Sequence, residues 1–182
     1  MTSIPDSADA RLTRVADIQE MRDVLARFCR GMDRCDVGLC KAAFHVDATE
    51  HHGPFVGRAH DFYEGMLPQL KTLFEPTVRC LSNLLVEFDR GIAVSEVKWS
   101  VVMRDPAQDM FQQGRYLDRW ERRSGQWKII ARISVVDWFR SEPRSTRPFY
   151  PDADAIFHFR NRGLDDPEVR ATLGLPAAAL PF

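Results

Sequence analysis

The sequence predicts an α+β fold in which helices come first and a mostly antiparallel sheet follows. Between Ile18 and Phe74, apolar residues recur every three or four positions, which is typical of amphipathic helices. From Thr77 to Phe139 they alternate with polar residues instead, which is typical of strands with one buried face. Short turn sequences separate the alternating runs, so neighbouring strands are expected to pair antiparallel.

Length and composition fit a soluble protein with one main domain. The 182 residues are 45% hydrophobic and 28% charged, enough to bury a core without disulfides or a structural metal. Lys and Arg number 25 against 26 Asp and Glu, a formal net charge of −1 that gives no reason to expect nucleic acid or a membrane as partner. Neither a long apolar run nor a signal-peptide pattern is visible, so we expect a cytoplasmic protein.

Three helices are predicted in the first part of the chain. Residues 1–14 are polar and aperiodic and are predicted to be a flexible lead. The first helix follows, with Asp17 and Glu20 resembling an N-terminal capping arrangement. A short second helix is predicted over Val37–Phe44.

A brief strand over Ala48–His52 separates the second helix from the third. The third helix is predicted over Ala59–Phe74, and Pro68 is expected to bend or interrupt it, because proline lacks a backbone donor.

Four long strands joined by short connections are predicted to form an antiparallel meander against these helices. They are Val78–Phe88, Ile92–Met103, Phe111–Arg122 and Trp127–Phe139.

The tail over residues 141–182 is rich in Pro, Asp and Arg but keeps several aromatic residues. Exposed rings would leave a large apolar area in water, so the tail is expected to dock on a neighbouring subunit or over a pocket. A short helix is predicted over Glu168–Leu173, after a helix-start sequence at Asp166-Pro167.

Neither a metal nor a cofactor is predicted. The four cysteines show no zinc-ligand spacing and are expected to be small buried hydrophobes, a catalytic thiol being the weaker alternative. A glycine-rich phosphate loop and the common metal and nucleophile motifs are absent from the sequence. If the protein is an enzyme, its own side chains are therefore expected to carry the chemistry.

Five segments of the sequence carry a resemblance to a known family: Leu25–Asp36, Phe44–Ala48, His52–Phe55, Gly114–Trp120 and Trp127–Arg132. Together they resemble the SnoaL-like proteins of the nuclear transport factor two superfamily, in the branch near scytalone dehydratase and bile-acid dehydratase. The resemblance covers roughly residues 15–140, predicted to form one cone-like domain, and implies an apolar pocket between helices and sheet. It also implies that the protein is often a trimer and needs no cofactor.

The resemblance also implies a site. Asp33 matches the acid at the end of the first helix, which forms a dyad with a histidine in the family's lyases. That histidine position reads Arg79 here, while Asn83 is kept and is expected to orient a substrate. Alternation along this strand predicts that Arg79, Leu81, Asn83 and Leu85 share one face, as in a pocket wall. Phe28 stands where a tyrosine is common, and Arg132 matches an arginine that some relatives place against the substrate or leaving group.

The residue types then suggest roles. Arg79 stays protonated, so it can stabilise an oxyanion but cannot act as a base, which leaves Asp33 to move the proton. His52 is a candidate to restore the missing acid–base function, and Tyr116 is a candidate phenol donor. A buried Arg132 needs a partner, which can be the substrate, Asp33 or Asp118.

Other aromatic residues are candidates for lining the pocket, although a role in the core is at least as consistent with their positions. They are Trp99, Phe62 and Tyr63.

The function predicted from these observations is a cofactor-independent lyase, a dehydratase or an aryl-diol formaldehyde lyase of aromatic compound catabolism. It would eliminate water or formaldehyde from a hydroxylated aromatic or polycyclic small molecule. The alternatives are a ketosteroid-type isomerase and a non-catalytic small-ligand-binding module, because a fold alone does not determine a reaction. A homo-oligomer is expected, with a trimer favoured.

Overall fold

The structure is a computed structural model that describes residues 7–75, 77–89 and 91–144, together with Arg170, Ala171 and Gly174. The chain divides into two units, Met1–Arg144 and Ser145–Phe182. In the second unit Arg170 and Ala171 are helical. The expected docking of the tail and most of its predicted helix lie outside the described residues.

Helix α1 spans Ala8–Arg34 and begins earlier than predicted. Ser7 is its N-cap, and the Ser7 hydroxyl accepts a hydrogen bond from the backbone N–H of Ala10 at 3.2 Å. The prediction of a flexible lead is therefore wrong for residues 8–14. Hydrophobic periodicity did not predict these helical turns, because their apolar side chains, such as Leu12, are exposed and do not form a buried face.

The other two helices lie close to their predicted positions. Helix α2 spans Val37–Ala42 and helix α3 spans Ala59–Leu73, which Pro68 does not interrupt. Asp17 does not cap α1 as expected, but is almost fully buried and pairs with Arg122 at 3.0 Å. None of the helices in the described part of the chain is long and apolar enough to cross a membrane.

Six strands form one curved sheet that does not close, in the order β2-β1-β6-β5-β4-β3. The predicted α+β class and the antiparallel order of the last four strands are confirmed. The first strand, longer than predicted, pairs parallel with the last, and the second strand was not predicted. The strands are β1 Phe44–His52, β2 Phe55–Arg58, β3 Val78–Asp89, β4 Ile92–Arg104, β5 Gln108–Arg123 and β6 Gln126–Pro143.

The helices cover one face of the sheet, here called the inner face. Strand β4 shows the pattern most clearly, because buried and more exposed residues alternate along it. Its buried side chains, such as Val97 and Trp99, join Leu25 and Phe28 of α1 in the hydrophobic core. The site described below lies on this inner face.

A bulge in β3 breaks the predicted alternation. Asn83 adopts a left-handed conformation with φ of 51°, and the pairing with β4 shifts around it. Beyond the bulge, Leu85 lies on the outer face and is exposed, whereas Val86 is buried in the core. The prediction that Arg79, Asn83 and Leu85 share one face is therefore wrong, and the Asn83 side chain is exposed.

The outer face carries an open, mostly apolar groove of about 380 Å³. Leu85, Val94 and Ile133 line it, and each exposes roughly half of its surface or more. The homo-oligomer expected from the resemblance stays a prediction.

Gly114 allows β5 to pass close to the aromatic rings of the inner face. A Cβ atom at this position would lie 2.0 Å from the carbonyl oxygen of Val135 and 2.4 Å from Cζ2 of Trp99. Because a backbone group and a packed ring cannot easily move apart, Gly114→Ala is expected to lower the free energy of unfolding by about 1–3 kcal/mol. Urea denaturation measures this change.

The matched control is Gly65→Ala in α3, where an added Cβ would meet no atom within 4 Å. This variant is expected to be neutral or more stable by about 0.5–1 kcal/mol, because alanine favours a helix. Equal stability of the two variants would contradict the steric argument.

Candidate active site

Asp33 lies at the end of α1 and faces the start of β3. Its Oδ1 accepts hydrogen bonds from the Thr77 hydroxyl at 2.8 Å and from Arg79 Nη1 at 3.0 Å, and its Oδ2 accepts one from the Arg79 backbone N–H at 3.0 Å. The structure thus brings together Asp33 and Arg79, as the resemblance implied. Thr77 was not anticipated from the sequence.

These three bonds leave one acceptor position on the carboxylate. An ionised carboxylate offers about four lone-pair positions, and both on Oδ1 of Asp33 are occupied. The Asp33 side chain is 23% exposed and that of Arg79 is 7% exposed. Asp33 is therefore neither fully exposed nor sealed in the core, and its Oδ2 can accept one more hydrogen bond or a proton.

Arg132 is fully buried at the centre of the sheet. Its Nε and Nη2 donate to the two carboxylate oxygens of Asp118, each at 2.7 Å, so Asp118 is the partner among the three alternatives considered. The guanidinium also lies over the rings of Phe28 and Tyr116, with Cζ 4.4 Å and 4.1 Å from the centroids. Nη1 forms no hydrogen bond with any residue that the structure describes.

The charge of Arg132 persists despite burial. Burial alone would lower the pKa of Arg132, but the charge of Asp118 and the two hydrogen bonds to it outweigh this effect and hold the pKa well above its usual value. The site therefore contains a permanent, buried positive charge with one unused pair of N–H donors.

Glu50, on β1, is a second buried carboxylate beside Arg132 in the parallel pairing of β1 and β6. Its Oε2 accepts a hydrogen bond from the Tyr63 hydroxyl at 3.0 Å, and its Oε1 lies 3.3 Å from Nδ1 of His52. Burial, followed by the charge of Glu50, raises the pKa of Tyr63 well above its usual value. The Tyr63 phenol therefore stays protonated and donates to the carboxylate.

Glu50 was missed in the sequence analysis, although alternation along β1 offered a signal. Residues 50 and 52 must share a face, and a histidine two positions from a glutamate can form a pair on it. His52 lies on the same face as Glu50. Its ring stacks on that of Phe62, with centroids 4.7 Å apart, and its side chain is 39% exposed. His51 points to the opposite side and is exposed.

The predicted aromatic residues surround these charges. Tyr116 is buried and stacks on Trp99, with centroids 5.6 Å apart. Burial raises the pKa of Tyr116, while the charges of Arg79 and Arg132 act in the opposite direction. Arg132 contacts the Tyr116 ring directly, with Cζ 4.1 Å from its centroid. Arg79 lies on the same face of the sheet, as the register partner of the buried Val101 on β4.

Three buried polar atoms on residues beside Tyr116, in addition to Trp127 Nε1 farther along β6, lack a hydrogen-bond partner among the described residues. Ser134, which carries one of them, is the register neighbour of both His52 and Tyr116. Leaving such groups unpaired costs about 1–3 kcal/mol each, so a bound molecule with acceptor oxygens would stabilise this region. The atoms are Trp99 Nε1, Arg132 Nη1 and Ser134 Oγ.

Two of the four cysteines, Cys29 and Cys40, are buried as expected, whereas Cys35 is partly buried and Cys80 is exposed. Burial raises the pKa of Cys29 to about 11 and that of Cys40 to about 12, although nearby arginine charges oppose the effect. Both thiols stay protonated at neutral pH, as expected of small buried hydrophobes. In the described residues, no three His, Cys, Asp or Glu side chains are placed to hold a metal ion.

Three helices against the inner face of a curved, unclosed six-stranded sheet define the cone fold of the nuclear transport factor two superfamily. The buried charges and free polar atoms on that face define a candidate site for a small ligand. The SnoaL-like domain model matches residues 13–133, and the chain belongs to this family.

Solved structures support the same fold. A scytalone dehydratase-like protein of Novosphingobium aromaticivorans is 21% identical, covers 81% of this chain and 98% of its own, and has a TM-score of 0.64. The hexachlorocyclohexane dehydrochlorinase LinA-type3 of Novosphingobium barchaimii is 18% identical, covers 78% and 97%, and has a TM-score of 0.63. No protein with a curated function matches the chain significantly. The structural similarity shows the fold alone.

Proposed function

We propose that this protein is a lyase that eliminates water or formaldehyde from a hydroxylated aromatic or polycyclic small molecule, without a cofactor. The observation that carries the proposal is that two charged groups lie on the inner face of the sheet: the Asp33–Arg79 ion pair, and the buried Arg132, whose Nη1 has no hydrogen-bond partner among the described residues. The names of two proteins with the same fold, a dehydratase-like protein and a dehydrochlorinase, support an elimination reaction.

The geometry suggests how dehydration would proceed. Oδ2 of Asp33 would take a proton from the carbon next to the C–O bond, since it has the free acceptor position. The C–H electron pair would form the C=C bond, and the hydroxyl would leave as water after receiving a proton. Nη1 of Arg132 would stabilise negative charge on a substrate oxygen. This electrostatic stabilisation is stronger in a buried site than in water.

Loss of formaldehyde from an aryl-substituted diol uses the same groups. Asp33 would take the proton of a primary hydroxyl, and the adjacent C–C bond would break to release formaldehyde. The electron pair of that bond would form a C=C bond and displace the neighbouring hydroxyl, which leaves as water after protonation. Neither reaction requires an external oxidant or reductant.

A non-catalytic ligand-binding module is the second candidate. One observation favours it: the Asp33 carboxylate is held by the permanently charged Arg79, which cannot exchange protons as an imidazole would. The two candidates share the site and differ in whether the bound molecule is converted.

The proposal is tested by incubating purified protein with aryl diols and hydroxylated polycyclic compounds after EDTA treatment and dialysis. We expect turnover to persist, with loss of water or formaldehyde identified by mass spectrometry. Turnover that returns only when a metal is added would contradict the cofactor-free mechanism. Tight binding without conversion would favour the binding module, and solvent-proton exchange without elimination would favour an isomerase.

A further inference from the structure

We infer that His52 is a second proton-transfer group of this site and that Glu50 is its positioning residue. The inference rests on the proposed function and adds to it the group that protonates the leaving oxygen. It starts from the contact between His52 Nδ1 and Glu50 Oε1 at 3.3 Å, which joins a partly exposed imidazole to a fully buried carboxylate.

Glu50 is fixed from two sides. The Tyr63 hydroxyl of α3 donates to Oε2, which leaves Oε1 directed at His52 on the same strand. A carboxylate can only accept, so the contact requires a proton on Nδ1 of His52. This arrangement leaves Nε2 as the working nitrogen, because a hydrogen bond to one ring nitrogen sets the role of the other.

Nε2 of His52 is free to contact a ligand. No hydrogen bond joins it to any residue in the described part of the chain, and the side chain is 39% exposed. The stacked ring of Phe62 limits rotation of the imidazole from one side. The ring is therefore held in orientation yet remains accessible.

His52 lies side by side with two other residues of the site on neighbouring strands. Ser134 is the register partner of His52 on β6, and Tyr116 is the partner of Ser134 on β5. The Tyr116 ring in turn contacts Arg132 and Trp99. A ligand that satisfies the unpaired atoms of Arg132 and Ser134 would therefore lie beside Nε2.

The buried groups near His52 are one guanidinium, that of Arg132, and two carboxyl groups, those of Asp118 and Glu50. None of the three side chains is exposed. In dehydration, Nε2–H would give its proton to the departing hydroxyl as the C–O bond breaks, and the neutral ring would then regain a proton from solvent.

The kinetic test compares His52→Gln and Glu50→Gln with His51→Gln. His52→Gln is expected to lower kcat by about 10²-fold or more with little change in KM. Glu50→Gln is expected to lower kcat by about 10- to 100-fold, again without a matching change in KM. The neighbouring His51 is exposed on the other face, so its variant is expected to keep wild-type kinetics. Added imidazole is expected to restore part of the activity of His52→Ala.

A second measurement needs no substrate. The ¹⁵N chemical shifts of neutral His52 are expected to show the Nδ1–H tautomer, whereas exposed His51 is expected to show mainly the common Nε2–H form. An Nε2–H tautomer at His52 would overturn the inference whether or not turnover is found. If Asp33→Asn abolishes turnover while His52→Gln does not, the inference fails and the proposed lyase function stands.

Discussion

Asp33→Asn is expected to lower kcat/KM for the elimination by about 10²- to 10⁴-fold, the range associated with loss of a general base. An asparagine side chain has nearly the same shape and can still accept a hydrogen bond from Thr77. Its amide cannot take a proton, and it leaves the guanidinium of Arg79 without its counter-charge. Steady-state kinetics on the substrate that turns over best would measure the effect.

The control for this substitution is Asp23→Asn, which makes the same chemical change on the exposed side of α1. Asp23 contacts Gln19 at 2.9 Å and no residue of the site, so its variant is expected to keep full activity. Both variants should be assayed below the temperature at which they unfold. A folded Asp33→Asn protein with wild-type kcat/KM would rule out Asp33 as the base.

Most of the fold could be predicted because a helix or strand that buries one face places apolar residues at a regular spacing along the sequence. Strand β4 buries every second residue, and its predicted limits lie within one residue of the observed ones. Helix α3 and strands β3, β5 and β6 were also predicted within a few residues of their observed limits. The four residues of β2, Phe55–Arg58, are too few to show a period. The first turns of α1 have exposed Leu12 and Val15, so no apolar stripe marked them as helical.

The site was predictable only where a residue type and its position already suggested a role. The juxtaposition of Asp33 with Arg79 followed from the family resemblance, and Asp118 was one of the alternatives for Arg132. Alternation along β1 indicated only that Glu50 and His52 share a face. The contact of Thr77 with Asp33 and the bond from Tyr63 to Glu50 join positions that are 44 and 13 residues apart. A single-sequence pattern contains no such information.

Asn83 shows a different limit. Strict alternation placed it on the inner face, but its left-handed conformation creates a bulge that shifts every later residue of β3 to the other face. Asparagine tolerates this conformation better than most residues do. A single asparagine in a long strand is nevertheless not enough to predict a bulge. A role for Asn83 in orienting substrate therefore has no support in its observed position.

The largest expected effect on stability comes from Asp118→Asn. The substitution leaves the fully buried guanidinium of Arg132 without the carboxylate that both of its 2.7 Å hydrogen bonds require. Removing one partner of a buried ion pair costs about 3–5 kcal/mol, because the other charge remains buried and uncompensated. Glu50 does not replace the lost partner, since its oxygens are engaged by Tyr63 and His52. Urea unfolding would measure the loss.

A matched surface pair and a double variant separate this electrostatic cost from simple loss of contacts. Arg115 and Asp137 form the same kind of pair on the same two strands, 2.9 Å apart but partly exposed, so Asp137→Asn is expected to change stability little. Combining Asp118→Leu with Arg132→Met removes both buried charges and keeps apolar volume against the Phe28 and Tyr116 rings. The double variant is expected to be more stable than Asp118→Asn alone, although it lacks the guanidinium proposed for catalysis. A double variant less stable than the single one would mean that the guanidinium contributes mainly through its contacts with the rings.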